Sequence, residues 1–138
     1  MANILIVDDD IAVQAVIRLL LERDGHEVVV ASDGLKSLQI FETLNFDLLI
    51  VDIFLPGMDG LETMRCIHQQ RPDIPIIVIS GRPIPSDSSA GPDFLTMAVK
   101  LGAISSLQKP FKAPALRALV TKSLEVAKGP IRLANQMG

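Results

Sequence analysis

The sequence predicts an α/β fold: a doubly wound, five-stranded parallel sheet with helices on both faces. Three observations carry this. Short apolar runs rich in β-branched residues recur along the chain. Between them lie segments with apolar residues at helical spacing. Glycine or proline stands where one kind of segment gives way to the other. Continuous apolar runs suit strands buried on both faces. Alternating strands and helices need crossover connections, which lay the helices against the sheet.

The first strand is Ile4-Leu5-Ile6-Val7. A helix follows over Asp10–Arg23, with Val13, Val16, Ile17 and Leu20 as its apolar stripe and Asp10 as its N-cap. Val28-Val29-Val30 is the second strand. Its helix runs over Leu35–Leu44 with Leu38, Phe41 and Leu44 inward. Leu48-Leu49-Ile50-Val51 is the third strand, followed by a helix over Leu61–Gln70 with Leu61, Met64 and Ile67. Ile76-Ile77-Val78-Ile79 is the fourth, followed by a helix over Phe94–Leu101. The fifth, Ala103–Leu107, is the weakest. The last helix, Ala113–Lys128, carries Leu116, Leu119, Val120, Leu124 and Ala127. Gly25, Gly60, Pro72, Gly102 and Gly129 are the expected breakers. Five strands in a chain this short fit the flavodoxin-like order 2-1-3-4-5 better than a two-half dinucleotide fold.

Composition narrows the class. The chain has 138 residues, one cysteine (Cys66) and a net charge of -3. That length suits one domain with its own core. We expect residues 1–128 to form it and 129–138 to be a flexible tail or linker stub. One thiol cannot make an intrachain disulfide, and no apolar run approaches the ~20 residues of a membrane span. The basic start of a signal peptide is missing. A cytoplasmic protein is expected, without membrane contact. The acidic balance argues against direct nucleic-acid binding. Tyr and Trp are both absent, so an aliphatic core is expected.

In open α/β sheets the site lies beyond the carboxyl ends of the strands. Asp8, Asp9 and Asp10 follow the first strand, and Asp52 ends the third. Ser80 and Gly81 close the fourth, and Lys109 with Pro110 follows the fifth. The order 2-1-3 makes the first and third strands neighbours, which brings Asp8, Asp9 and Asp52 together. Three carboxylates repel unless a cation offsets them. Oxygen ligands with room for water and phosphate favour Mg²⁺. Lys109 offers a positive charge for a phosphoryl oxygen, and Ser80 a hydroxyl donor. Nucleophile, metal, cation and donor are the parts needed for phosphoryl transfer onto a carboxylate. Each residue alone also has a plain reading as a cap, a turn residue or a solvated lysine. Their joint placement at strand ends outweighs those readings.

Five segments, in order, resemble the receiver domains of two-component response regulators, the chemotaxis-Y-like fold. They are Ile4–Asp10, Asp47–Asp52, Leu55–Glu62, Pro75–Gly81 and Lys109-Pro110-Phe111. The resemblance spans roughly residues 3–128. It implies that Asp52 accepts a phosphoryl group from a sensor histidine kinase or phosphotransfer protein. It implies that Asp8, Asp9, Asp52 and the backbone carbonyl of Phe54 hold Mg²⁺. Lys109 and Ser80 would contact the phosphoryl group, as would the backbone of Phe54 and Gly81. Pro56 and Gly57 would shape the loop after the acceptor. Such a domain is a signalling acceptor rather than an enzyme, although it assists its own phosphotransfer and dephosphorylation. Its output would be a downstream protein or domain, or a homodimer through the fourth helix, fifth strand and last helix. Arg117, Lys122 and Lys128 lie outside the last helix's apolar stripe and could serve such a face.

Rival chemistries fit less well. Haloacid-dehalogenase-like phosphatases need an acid two residues after the nucleophile, where Phe54 stands. Flavin or nucleotide binders need a glycine- or hydroxyl-rich phosphate loop, where Asp8-Asp9-Asp10 stands. The main alternative is a pseudoreceiver, the same fold used as a binding module without phosphorylation. Two departures from the family pattern leave room for it. Ser106 occupies a position that is usually Tyr or Phe. Ser80 and Lys109 lie 29 positions apart, several more than is usual in the family. The surplus falls in Arg82–Asp93, a segment rich in proline and serine. A tolerated surface insertion would cost little entropy; a lid or partner surface beside the phosphate site is the functional expectation. Deleting the surplus residues should then change phosphorylation, dephosphorylation or partner binding, and three unchanged values would remove the lid.

Overall fold

In the computed structural model, residues 2–55, 60–80 and 99–137 are described, with side chains to residue 126. The segment Arg82–Asp93, Gly81, Pro56, Gly57 and most of the helix expected over Phe94–Leu101 lie outside them; Val99 and Lys100 are helical.

The strands are β1 (Asn3–Val7), β2 (Glu27–Ala31), β3 (Leu48–Asp52), β4 (Ile76–Ser80) and β5 (Ala103–Gln108). They form one parallel sheet in the order β2-β1-β3-β4-β5, as the sequence predicts. Helices α1 (Ile11–Arg23), α2 (Gly34–Thr43) and α3 (Gly60–Gln70) and a C-terminal helix (Ala113–Met137) complete the described elements.

The continuous apolar runs divide between two cores. Leu5 and Val7 of β1, Leu49 and Val51 of β3, and Ile76 and Val78 of β4 face α2 and α3, with Phe41, Met64 and Ile67. Ile4, Ile6, Leu48, Ile50, Ile77 and Ile79 face the other way, onto Ile17, Leu21, Leu116 and Val120 of α1 and the C-terminal helix. Successive residues of a strand point to opposite faces. A strand covered on both faces must therefore be apolar throughout. The core is mostly aliphatic; among the described residues Phe41 and Phe46 stack at 6.1 Å between centroids.

Helix starts follow local chemistry. Asp10 caps α1, its carboxylate accepting from the N–H groups of Ala12 (2.9 Å) and Val13 (3.2 Å). Asp33 does the same for α2, accepting from Lys36 at 2.7 Å. Arg117 grips Asp24, at the end of α1, through two nitrogens at 2.7 and 2.8 Å. This cation joins the C-terminal helix to α1.

Three expectations shift. The buried face of α1 centres on Gln14, Ile17 and Leu21, and Val16 is 51% exposed. Val13 and Leu20 are half-buried against the same core, and Gln14 finds polar partners at a strand end. Leu44 ends α2 at its C-cap, exposed rather than inward. The C-terminal helix runs past Gly129 and Pro130 to Met137, where the sequence suggests a stop near Lys128. Gly and Pro lower helix propensity but do not forbid a helix with good formers on either side.

Gly60 opens α3 directly beneath the end of β3, its N–H bonding the carbonyl of Ile53 at 3.2 Å. A Cβ there would lie 2.3 Å from the Asp52 carbonyl oxygen and from Ile53 Cα. Both are backbone atoms, so either α3 or the end of β3 must move. Gly60→Ala is therefore expected to destabilise the fold by about 1–3 kcal/mol, read from the urea midpoint at unchanged slope. A midpoint equal to wild type would contradict this packing.

Candidate functional site

Register decides which strand ends meet. Val7 pairs with Val51, so Asp8 stands one step beyond β1 and beside Asp52. Asp52 pairs with Ile79, and Ser80 with Gln108, which places Ser80 and Lys109 at the same end of the sheet. The backbone stitches these ends together. Asp8 N–H donates to Ala31 O at 3.0 Å, Ile53 N–H to Ile79 O at 3.2 Å, and Lys109 N–H to Ser80 O at 2.7 Å. A cis peptide joins Lys109 to Pro110.

Lys109 reaches into the pocket so formed. Its Nζ lies 2.8 Å from Asp8 Oδ2 and 3.1 Å from Asp52 Oδ2. The other oxygen of each acid is held by backbone. Asp8 Oδ1 accepts from Asp10 N–H, and Asp52 Oδ1 from Phe54 N–H, both at 2.8 Å. Asp8, Asp52 and Ser80 are buried, and Asp9 is exposed at the rim. Among the described residues, Asp8, Asp9 and Asp52 can bring one carboxylate oxygen each within 4.8 Å of one another.

Electrostatics sharpen the picture. Burial raises the Asp8 carboxyl above the ordinary carboxylate range and outweighs the opposing Lys109 ammonium and Asp10 N–H. For Lys109, burial alone would lower the ammonium, but the close contacts and charges of Asp8 and Asp52 outweigh it and hold it raised. The two partners of one ion pair thus move in the same direction. Lys109 gains two carboxylates, whereas Asp8 is wholly buried and shares its cation. Among the described residues, three carboxylates gather around one ammonium, an excess of negative charge. Asp8 Oδ2 touches the ammonium yet takes no well-aligned hydrogen bond. Hard oxygen donors with spare lone pairs suit a small divalent cation.

The sequence matches the model of the response regulator receiver domain over residues 4–121. The chain belongs to that family. The receiver domain is 33% identical over 118 residues to the alkaline phosphatase synthesis transcriptional regulatory protein PhoP of Bacillus subtilis, covering 86% of this chain and 46% of that protein. It is 35% identical over 126 residues to the response regulator MprA of Mycobacterium ulcerans, covering 91% of this chain and 51% of that one. The chain thus spans about half the length of these relatives. Among solved structures, a CheY-like receiver domain protein from Methanospirillum hungatei superposes with a TM-score of 0.85 at 28% identity, covering 94% of this chain and 98% of that one. NtrX from Brucella abortus gives 0.84 at 30% identity, covering 98% of this chain and 29% of that one. The receiver domain is a signalling domain of two-component systems.

The structure brings Asp8, Asp52 and Lys109 into contact, sets Asp9 beside them, and buries Ser80 at the end of β4. Phe54 enters through its N–H, bound to the Asp52 carboxylate. Gly81 lies outside the described residues. Ser106 is exposed on β5, opposite Val78. No described helix is long and apolar enough to cross a membrane.

Sequence reasoning misses Gln14. Its side-chain amide donates to the backbone carbonyl of Asp8, and to Ser32 Oγ at 3.2 Å. The available signal was a polar residue between Val13 and Ile17, on the buried side of an amphipathic helix.

The raised Asp8 carboxyl carries a stability cost with a definite sign. Between the ordinary carboxylate value near 4 and the raised one, the folded protein holds a proton that the unfolded chain has released. Stability therefore falls as pH rises through that window and stays lowered above it. Without divalent cations, Asp8→Asn should raise the Tm at neutral pH, by about 4 °C for each kcal/mol relieved. The gain should fade as the pH drops below about 4. A Tm lower than wild type at pH 7 would contradict this sign.

Proposed function

We propose that this receiver domain accepts a phosphoryl group on Asp52 in a Mg²⁺-dependent reaction. The single observation that carries the reading is the shared contact of Lys109 with Asp8 and Asp52 at the carboxyl end of the sheet. It supports the reading because Asp52 would be the nucleophile, Lys109 the cation for a phosphoryl oxygen, and the neighbouring acids the ligand set.

The site residues divide the work. Phe54 N–H and Lys109 hold the Asp52 carboxylate in a fixed orientation. One carboxylate oxygen attacks phosphorus, the bond from phosphorus to the donor breaks, and the donor leaves with that electron pair. The product is an acyl phosphate; water later ends it by attacking the same phosphorus, so that the bond from phosphorus to the carboxylate breaks, inorganic phosphate leaves and the Asp52 carboxylate is restored. Lys109 shifts from the carboxylate toward a phosphoryl oxygen as charge moves there. Ser80, and the backbone N–H groups of Phe54 and Gly81, would donate to the remaining oxygens. Asp8, Asp9, Asp52 and the Phe54 carbonyl would hold Mg²⁺, which offsets the charge of the transferring group.

The donor would be a phosphohistidine of a sensor kinase or phosphotransfer protein. The output would be protein interactions altered by the new charge on Asp52. Receivers of this family act with histidine kinases and output domains. A face over β5 and the C-terminal helix could join two copies. A cytoplasmic setting fits the single thiol, Cys66. Turnover of a separate substrate is no part of the reading.

The test is incubation with Mg²⁺ and acetyl phosphate, read by intact mass. The wild type should gain one phosphoryl group and Asp52→Asn none. Lys109→Met should slow the gain by about 10²-fold. An unchanged wild-type mass with several donors would instead mark a phosphorylation-independent binding module.

A further inference from the structure

The Asp8 carbonyl poses a problem that the receiver chemistry does not by itself solve. β1 ends at Val7, and Asp8 N–H makes the last bond to β2, donating to Ala31 O. The Asp8 carbonyl lies beyond that ladder, on a residue with no exposed surface. Gln14, one turn into α1 and itself 8% exposed, reaches back and donates its side-chain N–H to that carbonyl. A carbonyl can only accept, so the amide nitrogen must face it. The same nitrogen meets Ser32 Oγ, beside the Asp33 cap of α2. One side chain thus links the end of β1, α1 and the turn after β2.

That carbonyl belongs to the peptide group joining Asp8 to Asp9. Its orientation sets ψ of Asp8 and φ of Asp9, and hence where each carboxylate lies relative to the other. Asp8 points into the buried pocket and Asp9 stands at its rim, so the setting of this peptide governs whether one ion meets both. We propose that Gln14 is a positioning residue for the divalent cation, holding the Asp8–Asp9 peptide so that both carboxylates meet one ion. The inference rests on the reading of Asp8, Asp9 and Asp52 as cation ligands. Groups behind metal ligands typically change affinity by roughly 10–100-fold when removed.

The experiment is a Mn²⁺ titration of the metal-free protein, with free Mn²⁺ read by electron paramagnetic resonance and Mg²⁺ as competitor. Gln14→Met keeps the length and loses the donors; it should weaken Mn²⁺ binding roughly tenfold. Gln14→Ala serves the same comparison if the methionine variant does not fold. Ser32→Ala, which spares the Asp8 bond, should stay within about twofold of wild type. Ile17→Val, a buried change on the same helix away from the pocket, should lower the Tm and leave Mn²⁺ affinity unchanged. With acetyl phosphate, Gln14→Met should need more Mg²⁺ for half-maximal rate yet approach the wild-type rate at saturation. A Gln14→Met affinity within about twofold of wild type would overturn the inference while leaving the ligand reading intact. A wild type that binds no Mn²⁺ would overturn the ligand reading and the inference with it.

Discussion

Two carboxylates at the ends of β1 and β3 share one ammonium, that of Lys109. Much of the functional end of the fold can be understood as the means of holding that arrangement. Burying charge is costly unless geometry and further hydrogen bonds compensate. Here each acid keeps one oxygen on Lys109 and one on a backbone N–H, from Asp10 or Phe54. Asp8 still bears a raised carboxyl, so the compensation is incomplete. A shifted, incompletely compensated carboxyl in a pocket is a mark of a candidate functional site.

The two aliphatic cores underwrite this. Because β1, β3 and β4 are covered on both faces, a one-residue slip would exchange the two faces of a strand. Register is therefore held from both sides, and with it the side-by-side placement of Asp8 and Asp52. Gly60 adds a local constraint by letting α3 start against the backbone of Asp52 and Ile53. β5 is different. It is an edge strand with a register shift against β4 at Ile76/Ile77, and its residues alternate between more and less buried. Among the described residues, the strand that leads into Lys109 is thus the most exposed of the five.

Much of the fold was legible because its signals are local. Apolar runs marked every strand, and the mixed, weak Ala103–Gln108 run marked the edge. Asp10 announced its helix. Asp8, Asp9, Asp52, Ser80 and Lys109 could be read as a site because strand ends gather in any parallel sheet. Two signals were not local. The buried face of α1 depends on what Gln14 meets, and the stop near Gly129 was read from breakers that the C-terminal helix passes through. Propensity speaks only for a residue's neighbours along the chain.

The sequence by itself determined the α/β class, the strand order, the family and the residue types at the strand ends. These follow from periodicity, turn chemistry and motif order, which are properties of the chain read in one dimension. Only the tertiary structure decided that Lys109 bridges Asp8 and Asp52, that Phe54 N–H holds the Asp52 carboxylate, and that Gln14 reaches the Asp8 carbonyl. Each depends on distance and direction between groups on different elements. Lys109 and Asp52 stand 57 positions apart in sequence. Sheet register, set by the packing of both faces, brings them within 3.1 Å.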